Sequence, residues 1–471
     1  MIWVIARKEI LELSRDRRLQ VAVAVLWLLF ICGAAFGTRH YLGQTAQAHA
    51  AASAERQRWL DQGEKHPHLA AHYGVFSFRS PRPLSIADSG VESYLGSTIW
   101  LEAHKQNETL YRPAEDAAAY QRFGGLTIAA ALQTLVPLLI IVLGFAAFAG
   151  ERERGTLRQL LSLGIMPRDL LLGKALAAGA ILLAVCLPAL GFAIAAIVSL
   201  APSAYLGDEL ARAALMAAVY SAYLGGFIFL TLAASAYFQS SRSALVSLLA
   251  FWALSTLILP RTVSDLAKAL YPTGAGLEIR HALEAHLAEA NGEAAWARRK
   301  ASLPAQLNVN RLDELPFDYY GLELQAGEER AYPVYDQHYN AVFDILQRQD
   351  LLYQLATLLA PVTGVQLISM ALAGTGTETY RDFFLQSEAA RRKMQEKINE
   401  GIREFSARDE KGEWQAKAGR ELWERIPAVS YTPPLWQQSL SPYWPALVLL
   451  ALWFSFAAAA ALMTSRRLKP G

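Results

Sequence analysis

FGGLTIAAALQTLVPLLIIVLGFAAFAG (residues 123–150), ERERGTLRQLLSLGIMPRDLLLGK (151–174) and ALAAGAILLAVCLPALGFAIAAIVSLAPSAYLG (175–207) follow one another without a break. The first and third stretches contain no Asp, Glu, Lys or Arg. Each exceeds the roughly 20 helical residues that a bilayer core of about 30 Å requires. The stretch between them is short and carries five basic against three acidic side chains. Two apolar helices joined by a net-basic loop predict membrane spans with that loop on the cytoplasmic side.

The same pattern continues outward in both directions. Residues 19–38, 213–241, 243–260 and 426–465 are also free of Asp, Glu, Lys and Arg. They place six spans, at 19–38, 123–150, 175–200, 210–238, 243–260 and 441–464. Asp208, Glu209 and Arg212 mark a short turn between spans 3 and 4, and Arg242 a turn between spans 4 and 5. Composition agrees: of 471 residues 53% are hydrophobic and 18% charged, with mean hydropathy +0.19, against roughly 25% charged in soluble domains. Cys32 and Cys186 lie inside apolar runs, which excludes a disulfide framework and a cysteine zinc site. A net charge of +2 gives no reason to expect a nucleic-acid partner.

Lysine and arginine placement orients the chain. With both termini cytoplasmic, the inner segments are 1–18, 151–174, the Arg242 turn, and a tail with Arg466, Arg467 and Lys469. They sum to +8 and everything else to −6, the sense the positive-inside rule requires. The predicted fold is an all-α polytopic membrane protein: six transmembrane helices with two large, mainly helical extracytoplasmic insertions, 39–122 after helix 1 and 261–440 after helix 5. Ala48-His49-Ala50 offers a small-x-small cleavage site, but the 18-residue basic leader before the first apolar run is too long for a signal peptide. Leu351 to Gly374 is apolar yet interrupted by Gln354, Pro361, Gly364 and Gln366. It reads as a buried or membrane-surface helix, since a seventh span would put the basic tail outside. Within the insertions, 39–63, 277–302 and 383–426 are helix-prone, and 304–333 reads as irregular.

Chemistry is conspicuous by what is missing. The sequence contains no His-Glu-x-x-His, no Gly-x-Ser-x-Gly and no phosphate-binding Gly-x-x-x-x-Gly-Lys-[Ser/Thr]; Gly173-Lys174 is followed by Ala175. The weak metal candidates are His66, His68 and His72, with His68 and His72 at the i, i+4 spacing of one helix face. Unaccompanied by cysteine, they read as hydrogen-bonding loop histidines, so no metal and no cofactor is expected. The spans lack the ionisable residues that ion-driven transporters carry, so any transport is powered from elsewhere. Gln133, Thr134, Tyr220, Tyr223, Thr231, Ser247, Ser255 and Thr256 read as interhelix hydrogen bonders, beside close contacts at Gly144, Gly150, Gly225 and Gly226.

In the 151–174 loop, Thr156 is placed to cap a short helix whose Leu157, Leu160 and Leu161 form one apolar stripe. A helix that short needs something to dock into; the alternative is a stripe lying on the membrane surface. Here the sequence resembles the membrane subunits of ABC transporters of the ABC-2 type. Glu151, Glu153, Gly155, Thr156, Leu160, Leu161, Pro167, Gly173 and Lys174 match that family's loop in order and spacing, and Ala6-Arg7-Lys8-Glu9-Ile10 resembles its amphipathic amino-terminal helix. The long segments after spans 1 and 5 resemble a subfamily with a domain of unknown function.

The resemblance implies a permease in a bacterial inner membrane, paired with a second permease chain, identical or not, and with an ABC ATPase subunit that binds ATP and Mg. It makes 151–166 the coupling helix. Leu157, Leu160 and Leu161 would fill the ATPase groove, and Arg152, Arg154 and Arg158 would meet its acidic rim. The implied activity is ATP-driven export. Two other readings are ATP-driven force transmission to an envelope protein without transport, and a polytopic membrane enzyme, for which no catalytic set is present. The topology makes a direct prediction: a cysteine at Ser406 is labelled by an impermeant maleimide added outside intact cells, and labelling only after permeabilisation refutes it.

Overall fold

The computed structural model describes residues 1–116, 125–274 and 276–468. The predicted boundary between the first insertion and span 2, at 122/123, and Lys469 lie outside these residues. Among the described residues six helices are long and apolar enough to cross a membrane: Arg17–Leu60, Ile128–Glu153, Pro167–Leu200, Ser203–Tyr237, Ser241–Leu270 and Trp436–Ser465. They are spans 1 to 6 below.

Span 4 occupies the centre. Its Tyr220, Tyr223, Leu224, Phe227 and Leu232 are buried in the main core with Val136, Leu139 and Ile140 of span 2 and Leu450 and Trp453 of span 6. Of the polar residues expected to bond between helices, Gln133, Tyr220 and Tyr223 do so, whereas the Thr134 hydroxyl turns back to the Ala130 carbonyl of its own helix and the buried Thr231, Ser255 and Thr256 hydroxyls pack without a hydrogen-bond partner. Gln133 donates to the Tyr220 hydroxyl at 2.8 Å, Tyr223 donates to the Gln133 carbonyl at 2.8 Å, and the Trp252 indole donates to the Thr134 carbonyl at 3.0 Å. The small-residue contacts are also present: Gly144 faces Thr231 and Gly226 faces the Trp453 ring. Span 5 runs through a π-helical turn at Ala253–Ile258, which turns Ser255 and Thr256 inward.

The apolar segment after Leu351 is not a seventh span. It forms a 13-residue helix, Pro361–Ala373, started by Pro361 and ended by Gly374 in the left-handed conformation. Val365, Ile368, Leu372 and Ala373 are fully buried in the main core. Ser369 bridges the Tyr220 hydroxyl at 3.1 Å and the Asp88 carboxylate. A buried helix, not one lying on a membrane surface, describes it.

Span 1 continues as a single helix to Leu60, its 44 residues extending about 66 Å at 1.5 Å per residue. Its far end enters a second core built from both insertions: Trp59, Val75, Ile99 and Leu101 from the first, Phe343, Phe383, Phe384, Ile398 and Trp423 from the second. Trp59 and Trp423 meet edge to face at 5.7 Å, and the Trp59 indole donates to the Trp423 carbonyl at 3.0 Å. The insertions are mainly helical but carry sheet as well. Strands β1 (Val75–Phe78), β2 (Thr98–Glu102) and β3 (Lys105–Leu110) form an antiparallel meander. Ser406–Arg408 and Trp414–Ala416 form a hairpin, so the helix expected over 383–426 ends at Glu404. The stretch 304–333, expected to be irregular, instead enters a helix at Tyr320 that runs to Leu355 through Pro333. Proline removes one helical hydrogen bond, and burial of Leu324, Ala331 and Tyr335 outweighs that loss.

The turn between spans 3 and 4 is not a solvated charge cluster. Arg82 from the first insertion pairs with Asp208 and, at 2.9 Å, with Glu209; Arg212 pairs with Asp208 at 2.7 Å. Arg212 is fully buried. It also donates to the Leu372 carbonyl at 3.1 Å, the Pro434 carbonyl at 2.6 Å and the Ser439 hydroxyl at 3.0 Å. One guanidinium thus fastens span 4, the end of the buried helix and the approach to span 6. Removing one member of a buried ion network costs about 3–5 kcal/mol. Arg212→Met therefore lowers the melting temperature in detergent by several degrees, and Arg212→Lys recovers only part, since an ammonium cannot span the same acceptors. An unchanged melting temperature for Arg212→Met refutes this role.

Candidate coupling site

At the opposite end of the bundle the amino-terminal helix Ile2–Ser14 lies against the start of span 3. A side chain at Gly173 would come within 2.6 Å of Ile5, so only glycine lets the two helices approach this closely. The next residue, Lys174, is 3% exposed and sits between two carboxylates, Glu151 at 2.7 Å and Glu9 at 2.9 Å. Burial works against ionisation of Glu9, but the Lys174 ammonium prevails and holds its carboxyl below the ordinary value. The triad joins the amino-terminal helix, the end of span 2 and the start of span 3.

The other motif residues extend the same clamp. Arg152 donates to the Phe238 and Ala236 carbonyls at 2.6 and 2.9 Å, satisfying the exposed carbonyl end of span 4. Glu153 accepts from the Ser241 backbone N–H at 2.7 Å and its hydroxyl at 2.8 Å, a carboxylate at the positive amino end of span 5. The Ser235 hydroxyl accepts from the Phe148 and Ala149 N–H groups. Gly155, at φ +76°, reverses the chain into the loop helix Thr156–Ser162 and is itself the residue before its first turn. Thr156 does not cap that helix: its hydroxyl donates back to the Glu151 carbonyl at 3.2 Å. Pro167 opens span 3, where a missing N–H costs nothing.

The leucine stripe faces inward. Leu157 and Leu161 are 4% and 9% exposed and belong to the protein's own main core, with Leu160 partly buried against it. These leucines are occupied within this chain, not laid on a membrane surface, and Arg152 is likewise committed internally. The side chains the loop leaves exposed are Arg154, Arg158, Gln159, Ser162, Leu163, Met166 and Arg168, together with Glu153, whose carboxylate is engaged by Ser241. Leu163 and Met166 are large apolar side chains at 79% and 61% exposure. Trp3, Val4 and Leu11 of the amino-terminal helix are exposed on its other face, as on a helix lying at a membrane interface.

The histidines form a second cluster, in the insertions. His68 and His72 share a face of the helix Pro67–Tyr73, their Nε2 atoms 3.2 Å apart. The structure adds His104 from the turn between β2 and β3; its ring centroid lies 5.2 Å from that of His68 and 5.4 Å from that of His72. His66 does not join them: its Nδ1 accepts from the His68 N–H and starts the helix. Burial, then the neighbouring imidazoles, push His68 down to about 4, so its ring is neutral at pH 7. His104 was invisible to spacing, because 32 residues separate it from His72 and only the strand pairing brings them together. Glu9, Leu163 and Met166 were also missed. The first sits in an unremarkable charged helix, and the other two fall outside the periodic stripe.

The triad yields a pH-dependent prediction. Lys174→Met leaves the buried Glu151 carboxylate without its ammonium and costs about 3 kcal/mol at pH 7. In the wild type, Glu9 has a folded value below its unfolded one, so its contribution is full above about 4.5 and is lost as pH falls through the folded value. In the variant Glu9 keeps Lys8 at 3.1 Å but loses the Lys174 ammonium, the larger of its two cationic influences, so less of its stabilisation depends on ionisation. The melting temperature of Lys174→Met therefore starts below that of wild type at pH 7, and the gap narrows as pH falls below about 4.5, where the wild type loses the Glu9 contribution. Parallel profiles refute the triad.

Comparison with known proteins identifies the family. Residues 3–308 match the family described as ABC-2 family transporter protein, and residues 277–432 match a domain of unknown function, DUF3526. No curated protein matches the chain. The family match covers all of spans 1 to 5 and every member of the clamp, and the chain accordingly belongs to the ABC-2 transporter family, as a multi-pass membrane component of an ABC transporter carrying an additional DUF3526 domain.

Proposed function

We propose that this chain is the permease half of an ABC transporter that exports its cargo, driven by a separate ATPase subunit that supplies the ATP and Mg site. The observation that carries this reading is the loop's division of labour. Its inner face is clamped to the amino-terminal helix and to spans 2 to 5, while its outer face presents Leu163 and Met166 among Arg154, Arg158 and Arg168. Two exposed apolar anchors ringed by arginines fit a partner groove with an acidic rim. A push on that face reaches four spans at once. Two such chains would enclose the membrane path, in a bacterial inner membrane with both termini in the cytoplasm and the insertions outside.

Force transmission without transport is a second reading, favoured by one observation: span 1 is an unbroken 44-residue helix whose end is packed into the insertion core. ATP-dependent cargo movement across reconstituted vesicles separates the two.

Both readings need the ATPase docked. Losing two central apolar anchors to buried carboxylates costs about 2 kcal/mol or more each. The double variant Leu163→Asp, Met166→Asp therefore fails to co-purify a co-expressed ABC ATPase, while insertion and yield are unchanged. Leu161→Asp, by contrast, damages the permease itself. Full recovery of the ATPase with the Leu163, Met166 variant refutes the docking face.

A further inference from the structure

We propose that the insertions carry a zinc site formed by His68, His72 and His104, independent of how the permease is powered. One nitrogen from each of the three imidazoles lies within 4.8 Å of the other two. A tetrahedral zinc with Zn–N bonds of about 2.05 Å separates two ligand nitrogens by about 3.3 Å. His68 Nε2 and His72 Nε2 stand 3.2 Å apart, so this pair is already at ligation distance. The third needs only a side-chain adjustment.

The second observation is the way His104 is held. Its Nδ1 lies 3.0 Å from Glu328 Oε1, and its backbone N–H donates to the same oxygen at 2.6 Å. The residue adopts φ +62°, the left-handed region that histidine, like asparagine and aspartate, enters more readily than other side chains, and this places it at the hairpin turn. Glu328 is itself buried, and Arg391 donates to its other oxygen at 2.9 Å. A carboxylate that accepts from Nδ1 fixes the imidazole tautomer and leaves Nε2 with the free lone pair, the arrangement that orients metal-binding histidines. Among the described residues no ligand of the cluster is a thiolate or carboxylate. Three neutral nitrogens select a borderline ion such as zinc and discriminate against magnesium and calcium, which require oxygen.

His72 and His104 are exposed, so the fourth coordination position faces solvent and is open to water or to a donor from another molecule. The site would also tie the first insertion to the second, because His68, His72 and His104 belong to the former and Glu328 and Arg391 to the latter.

The test uses the full chain in detergent, purified through a tag without histidine, stripped by chelator and titrated with zinc chloride. Calorimetry and metal analysis after gel filtration should give one zinc per chain. His72→Ala and His104→Ala should each weaken binding at least 100-fold. His281→Ala, an exposed histidine on a distant helix, should leave it unchanged. Glu328→Gln should keep the stoichiometry but lower affinity 10- to 100-fold. Cobalt in place of zinc should give the intense visible bands of a four-coordinate ion, absent in His72→Ala. The alanine variants remove exposed rings, and an unchanged circular dichroism spectrum confirms that they fold. Less than one zinc per chain, or full-affinity binding by folded His72→Ala or His104→Ala protein, overturns the site.

Discussion

The ammonium of Lys174 is the constraint on which the membrane half of this protein is organised. It is buried at the start of span 3 and neutralised by Glu151 and Glu9, so it sets the depth at which three separate elements must meet. A buried ion pair adds little net stability over an apolar substitute, but it penalises every arrangement that leaves one partner alone. Sliding the amino-terminal helix by one turn, about 5.4 Å, would leave Lys174 with one partner and Glu9 with only Lys8 of its own helix. Gly173 gives the triad its close approach, and Arg152 and Glu153 carry the same logic to spans 4 and 5 through helix ends. The Glu-x-Glu-x-Gly-Thr sequence is thus first an internal fastening.

At the other end of the bundle the same kind of chemistry recurs. Arg82 and Arg212 face Asp208 and Glu209, charge balanced and buried, where span 4, the Pro361–Ala373 helix and the approach to span 6 converge. Span 4 is therefore pinned by arginine at both ends and by tyrosine hydrogen bonds at its middle. Span 5 is held at its middle by the Trp252 indole on the Thr134 carbonyl, immediately before its π-helical turn, a feature frequent at functional sites. Span 1 differs again: it leaves the bundle and ends inside the insertion core, so a displacement at its base has a rigid route to the histidine-bearing domain.

Six spans, the outward extension of span 1 and the bonding roles of Gln133 and Tyr220 were legible because each is written locally. Absence of charge over 20 residues, absence of glycine and proline, and isolated polar residues in apolar runs all have short-range meaning. Helical continuity through Pro333 was not legible, since it depends on burial of Leu324 and Tyr335 by residues far away in sequence. Nor was the shared core of the two insertions, whose members at Trp59 and Trp423 lie 364 positions apart. The motif's positions could be read from the loop itself, but the destinations of its side chains, at Glu9, Ala236 and Ser241, could not. His104 belongs with these: a histidine in a hairpin turn carries no sign of the helix it faces.

The leucine stripe shows why periodicity alone misassigns a partner. Leu157, Leu160 and Leu161 mark one side of a seven-residue helix, and a helix that short must indeed dock. Periodicity names the buried face but not what buries it. Here the burying surface is the protein's own core, which the helix meets after Gly155 redirects the chain at φ +76°. The face left for another molecule is then defined by exclusion, and it falls beyond the stripe, at Leu163 and Met166, where the helix ends and Gly164 redirects the chain at φ +80°. Leu163 and Met166 stand there beside three exposed arginines, Arg154, Arg158 and Arg168, with none of the described residues packed over them. In the proposed docking, the contact surface is thus the non-periodic end of the loop, held in place by the periodic part.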